Sequence, residues 1–236
     1  MPYALSIILC LFGSLLASSA QDVHELMARA RYVTTLSKTD LEGRLKKSSL
    51  EIPVKFSLNG ENLMVQYYVD SLWKGLHVKL NPTNCQLFDI NADGSESLFS
   101  DQKIGQDIAG TDLSYEDLSL RFLYWPVAEL KGEERIKSQN CYIVRVHNPD
   151  QKGNYLYCDL WLHQKASNLM QVKAYDRNEQ HCKTLQAADL MNVDGEIMMR
   201  KMKVEVVKNG DTQSISYLIF KNPEGPKSSS RRRSLR

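Results

Sequence analysis

Apolar positions change period once along the chain. From Asp22 to about Ser37, Val23, Leu26, Met27, Ala30, Val33 and Thr34 recur at three- and four-residue intervals, the spacing of one helical face. Beyond Asp40 the period becomes two, and polar turn signals arrive every roughly eight to twelve residues, as an antiparallel sheet requires. SLNGEN is the clearest hairpin: Asn59-Gly60 supplies the positive φ angles of a tight turn between EIPVKF and LMVQYYV, runs rich in β-branched and aromatic residues. Similar punctuation at NPTN, NADG, HNPDQKGN, DRNEQ, NVDG and KNGD divides the rest into roughly ten strands.

The alternation also predicts faces. In YLYCDLWLH, Leu156, Cys158, Leu160 and Leu162 point one way, and Tyr155, Tyr157, Asp159, Trp161 and His163 the other. GLHVKL sets Leu76, Val78 and Leu80 against His77 and Lys79, and EIMMRKMKVEV puts Met198, Met202, Val204 and Val206 on one face. So many strands with one apolar face need a cover, and helices laid on one face of the sheet supply it. GTDLSYEDLSLRFLYWP is the candidate. Ser114 with Asp117 forms a capping pattern, and Pro126 disfavours helical backbone at Trp125, so a short helix begins near Tyr115. Leu118 and Phe122, with Leu113 and Trp125 just outside, then share a side. The segment is either a lid on the apolar face or ordinary core beneath a long connection.

The first twenty residues, MPYALSIILCLFGSLLASSA, change the picture of location. An apolar run from Ala4 to Ala17, too short to span a bilayer, is followed by small residues and then polar QDVHE, which predicts a signal peptide cleaved after Ala20. Its n-region lacks Lys and Arg, and Cys10 lies inside the apolar run, unlike a lipid-modified cysteine. A single β domain is expected over 21–223. SSSRRRSLR then ends a basic tail, 224–236, expected to be solvated or in weak contact with anionic membrane. Lys+Arg 30 against Asp+Glu 28 gives no electrostatic case for nucleic acid. Cys85, Cys141, Cys158 and Cys182 allow three disulfide pairings, and their spacing from His163 and His181 matches no metal site. No GxSxG, HExxH or CxxC occurs, so neither catalysis nor a cofactor or metal is expected. The paired carboxylates Glu116-Asp117 and Glu133-Glu134 are expected to be solvated surface groups.

The ordered motifs GTDLSYEDLS, LYWP, NCYIVRVHNP, YLYCDLWLH, AYDRN, VDGEIMMRKMKVEV and YLIFKNPE together resemble the outer-membrane lipoprotein-sorting family, the LolA-like group that includes an uncharacterised spirochaete branch. The resemblance is densest from about Ile104 to Pro223. It implies a mainly β fold with some α: an unclosed antiparallel half-barrel sheet whose concave, apolar face is covered by short helices. It also implies a periplasmic, non-enzymatic carrier or chaperone that shelters lipoprotein acyl chains or another amphipathic lipid. The lid and cavity candidates are Leu113, Tyr115, Leu118, Phe122, Trp125, Leu156, Leu160, Leu162, Met198 and Met202. The alternative is an envelope-stress sensor or interaction module that binds a lipid or peptide and a membrane partner. A carrier hands cargo to an acceptor, whereas a sensor binds its partner according to cavity occupancy.

Overall fold

The computed structural model describes residues 23–33, 39–81, 84–193 and 196–222. The expected signal peptide and basic tail lie outside the described residues, as does any continuation of the first helix past residue 33. Helix α1 covers 23–33 and buries Val23, Leu26, Met27 and Ala30 of the face that the three-four spacing predicts, while Val33 of that face is exposed.

Thirteen strands follow among the described residues, where roughly ten were expected. They are β1 (Thr39–Lys47), β2 (Leu50–Asn59), β3 (Asn62–Val69), β4 (Leu72–Asn81), β5 (Asn84–Ile90) and β6 (Glu96–Leu98). After a connection holding helix α2 (Tyr115–Leu118) and two 3-10 turns, Asp101–Lys103 and Arg121–Tyr124, come β7 (Val127–Ile136), β8 (Gln139–His147), β9 (Tyr157–His163), β10 (Leu169–Tyr175), β11 (His181–Val193), β12 (Glu196–Lys208) and β13 (Asp211–Phe220). The surplus comes from tight turns made without glycine. Asp70-Ser71 and Lys137-Ser138 adopt positive φ at both residues, as hairpin turns demand, and Ser48 does so between β1 and β2. In SLNGEN only Gly60 has positive φ; Asn59 stays in its strand and pairs with Asn62.

All strands form one antiparallel sheet in the order β6-β5-β4-β3-β2-β1-β13-β12-β11-β10-β9-β8-β7, with β6 and β7 as free edges. The sheet is therefore an unclosed trough. Turns alternate between its ends: those at 48–49, 70–71, 176–180 and 209–210 mark the upper end, and those at 60–61, 137–138 and 164–168 the lower. The concave face carries the main core, with Leu45, Val65, Leu76, Val78, Val144, Leu160, Leu162 and Val204 almost wholly buried beside Phe122 and Leu123. Trp161 points the other way, as its alternation with Leu160 and Leu162 predicts, and joins Ile136, Cys141 and Met170 in a small outer cluster. The four cysteines are free thiols, so none of the three possible pairings is formed. Burial pushes the Cys85 and Cys182 thiols up to about 12, which keeps them protonated and poorly nucleophilic.

Candidate functional site

Because β6 and β7 are opposite edges of the sheet, residues 99–126 have to cross the whole width of the trough. Their path decides which part of the apolar face is covered. Ile104, Ile108 and Leu113 are buried, and the segment is pinned at the upper end. Asp112 accepts hydrogen bonds from Ser214 and Ser216 Oγ on β13, both 2.7 Å, and from Lys47 Nζ on β1 at 2.7 Å. Its own N–H donates to Ser216 Oγ.

Helix α2 begins where the capping pattern puts it. Asp117 N–H donates to Ser114 Oγ, and Ser114 N–H donates to Asp117 Oδ2 at 2.8 Å. Trp125 is extended, at φ −67° and ψ 133°, as the following proline predicts. The expectation of solvated carboxylates fails here: Glu116 and Asp117 are both fully buried. A four-residue helix pressed into the trough turns its polar first turn toward protein, and protein groups replace the water. Asp117 accepts from the Tyr155 hydroxyl at 2.6 Å and from Lys183 Nζ on β11 at 2.9 Å. Burial works against charge on Lys183, but Asp117 and Asp107 outweigh it and raise its pKa above the ordinary lysine value. Glu116 Oε2 accepts from the Asn154 N–H at 2.8 Å, and Arg121 donates to Asp150 and to the Lys152 carbonyl. Glu133 and Glu134 are exposed as expected, although Glu134 accepts from Trp161 Nε1.

With the upper half of the trough filled, the lower half remains open as a cavity of about 600 Å³. This lies inside the roughly 300–1,000 Å³ typical of small-molecule sites. Its floor is Leu118, Leu120, Leu123 and Tyr124 of the crossing segment. One wall is Phe56, Leu58, Leu63 and Leu80 of β2 to β4, and the other is Leu169, Val172, Leu185, Met198, Met199 and Met202 of β10 to β12. Tyr32 and Val33, at the end of α1, stand at its edge. Tyr32 is 66 % exposed. Phe56, Leu58, Leu63, Leu120, Leu169, Met198 and Met199 remain partly exposed, apolar surface that the fold itself does not bury. Leu120 is held in the left-handed region, φ 50° and ψ 30°, where the backbone breaks between α2 and the Arg121–Tyr124 turn.

Of the residues singled out in the sequence, Leu118, Met198 and Met202 line this cavity together. Leu113, Phe122, Trp125, Leu160 and Leu162 are buried in the core that supports it. Tyr115 is half-buried, its hydroxyl 2.7 Å from that of Tyr67 and its ring against Phe99. Leu156 lies in the connection between β8 and β9 and is not part of the lining. The sequence reading placed Leu80 of β4 on the apolar face but missed Phe56, Leu58 and Leu63, the β2 and β3 part of the same wall. Its signal was the alternation of Val54, Phe56 and Leu58, which share a strand face with two buried neighbours on β1 and β3, Leu45 and Val65. Among the described residues no cluster of His, Cys, Asp and Glu is arranged to hold a metal ion, and no helix is long and apolar enough to cross a membrane.

A family model described only as an uncharacterized protein matches residues 96–228, more than half of the chain. No curated protein matches the sequence. Among solved structures, a DUF1329 family protein from Desulfovibrio piger is similar at TM-score 0.68 and 17 % identity, over 86 % of this chain and 92 % of that one. A domain from Vibrio parahaemolyticus described as outer membrane lipoprotein-sorting aligns at TM-score 0.66 and 16 % identity, over 89 % and 95 %. A LolA superfamily protein from Nitrosomonas europaea aligns at TM-score 0.62 and 15 % identity, over 85 % and 91 %. At these identities the likeness shows a common fold: the open antiparallel sheet is LolA-like.

Proposed function

The chain belongs to the uncharacterized family whose model spans residues 96–228, and on that premise and its LolA-like fold we propose that it is a non-enzymatic carrier. Its cargo is an acyl chain, of a lipoprotein or another amphipathic lipid, held in the cavity at the lower end of the trough. The observation that carries this reading is the unburied apolar lining. Each methylene taken from water is worth roughly 0.8 kcal/mol, so a chain of about 15 carbons brings on the order of 12 kcal/mol to a site that accepts it. Leu118, Met198 and Met202 touch cargo in this reading, with Phe56, Leu58, Leu63 and Met199. The thioethers adapt to chains of different shape. Leu113, Phe122, Trp125, Leu160 and Leu162 hold the floor and wall from behind. The site works in the periplasm, reached through the leader at 1–20, with 21–223 as a single domain. The description of the Vibrio parahaemolyticus domain as lipoprotein-sorting agrees with this cargo class.

Organic extraction of the purified protein, followed by mass spectrometry, should recover acyl-bearing molecules. A pyrene-labelled acyl methyl ester should bind, and Leu63→Asp or Met199→Asp should each weaken it by about tenfold or more, because a carboxylate in an apolar cavity is costly to desolvate. Both residues are partly exposed, so the fold should survive. Extracts without acyl lipid, together with unchanged affinity in both folded variants, would overturn carriage.

A further inference from the structure

The crossing segment is anchored at the upper end by four acidic or basic side chains, and one of them differs in kind. Asp112 has Lys47, Asp117 has Lys183, and Arg121 has Asp150. Glu116 is fully buried and has no cation hydrogen-bonded to it. Its Oε2 accepts the Asn154 N–H, while Oε1 is buried without any partner. The backbone comes this close because residue 153 is glycine. Gly153 has φ +84°, and a Cβ there would collide with the Glu116 carboxyl.

The charged and titratable groups around Glu116 come from every element packed on it. Asp117 is its helix neighbour, Arg121 follows in the 3-10 turn, Lys183 projects from β11, and Tyr155 and Cys158 are close enough to feel its charge. The two cations are engaged elsewhere, Arg121 with Asp150 and the Lys152 carbonyl, Lys183 with Asp117 and Asp107. A buried carboxyl with one neutral donor and no dedicated counter-ion is stable in its protonated form.

We propose that Glu116 is a proton-operated latch: neutral, it stays buried between helix α2 and the 148–155 connection, and its ionisation, although a carboxylate accepts the Asn154 N–H more strongly, draws the buried charge toward water and so opens that packing and loosens the cavity floor at Leu118. This regulatory role rests on the carrier reading for its effect on cargo, but the latch itself does not. Burial, above all, holds the Glu116 pKa up at about 7; the Asn154 N–H opposes the shift, Asp117 adds to it, and Arg121 and Lys183 oppose it. Once the connection opens, the carboxyl returns to the ordinary range near 4.5. The closed form thus holds a proton that the open form releases. Closure is fully supported below the ordinary carboxylate range, weakens as pH rises from there to about 7, and is level above. The latch is tightened by mild acid and slackened at neutrality.

Hydrogen exchange of the Asn154 amide, in cargo-free full-length protein and normalised to the intrinsic rate, should become about tenfold or more faster between about pH 5 and about pH 7.5. Glu116→Gln keeps the shape and the neutral state, and should stay slow across this range. Gly153→Ala, which pushes the carboxyl aside, should exchange fast at both pH values. Release of the pyrene-labelled acyl methyl ester, a probe with no titratable group, should follow the same pattern. Identical exchange profiles for wild type and Glu116→Gln would overturn the latch. So would an exchange step in wild type with a release rate that stays flat while the probe binds. If exchange steps as described and no probe binds at any pH, the latch stands and the carrier reading is what fails.

Discussion

Phe122→Ala is expected to lose about 3–5 kcal/mol of folding stability, the range for removing a wholly buried aromatic ring. Phe122 is 0 % exposed, its ring meets Trp125 edge-on at 6.5 Å, and its 3-10 turn packs against both β5 and β8. The turn that carries the ring therefore ties two distant parts of the trough together, and cavity creation beneath it weakens both. Urea unfolding should show a lower midpoint with little change in slope, and the thermal midpoint should fall by roughly 10 °C for a chain of this size. A movable lid predicts otherwise: faster cargo release with stability nearly intact. Wild-type stability in Phe122→Ala would show that the floor is not part of the cooperative core. Leu120→Ala is the useful contrast, since Leu120 is only partly buried and faces the cavity.

Lys183→Met is expected to cost about 3–5 kcal/mol, because it strands the buried Asp117 carboxylate without its cation. Asp117 would keep the Tyr155 hydroxyl and the Ser114 cap, which cannot replace a charge. Asp117→Asn should cost a comparable amount by stranding Lys183, leaving it only Asp107, whose side chain is 49 % exposed. The double variant should be less destabilised than the two singles combined, by more than about 1 kcal/mol, since neither charge is then left alone. Strict additivity in denaturant unfolding would mean that the pair is not coupled. Lys183 titrates above the ordinary lysine value, so its contribution is complete below about pH 10.5 and is lost only as pH climbs through the raised value.

Local chemistry was legible wherever a few neighbouring residues decide the outcome. The Ser114–Asp117 cap, the extended backbone at Trp125 before Pro126, the Asn209-Gly210 turn and the two faces of β9 and β4 all follow from short-range sterics and period-two alternation, whereas the earlier stop of the helix at Leu118 does not. Turns at Asp70-Ser71 and Lys137-Ser138 escaped because their residues pay for positive φ through the pairing of the flanking strands, a cost that glycine would have announced. The cavity was only half legible. Alternation says that Leu160 and Leu58 both face inward, but not that Leu160 ends wholly buried while Leu58 is left partly exposed on the cavity wall. Glu116 and Asp117 were misread for a related reason: two adjacent acids look solvated unless one knows that Lys183, Tyr155 and Asn154 arrive from far along the chain.

The strand order also sets an assembly problem. From β1 to β6 each strand pairs with its predecessor, and from β7 to β13 the same holds, so both halves can zip up by successive hairpins. One pairing joins them, β1 with β13, which brings Gly43 beside Phe220 and spans most of the chain. That seam cannot form until the last strand exists, and long-range closure of this kind is slow. Until then β1 is an open edge. Its sequence, TDLEGRLKK, carries Glu42, Arg44, Lys46 and Lys47, charges of the sort that keep a waiting edge from pairing with another chain. Gly43 lets β13 approach at all, since a Cβ at that position would strike the Ile219 carbonyl. Gly43→Ala should therefore lower equilibrium stability as well as the yield and rate of refolding, with aggregation of half-assembled chains as its visible symptom.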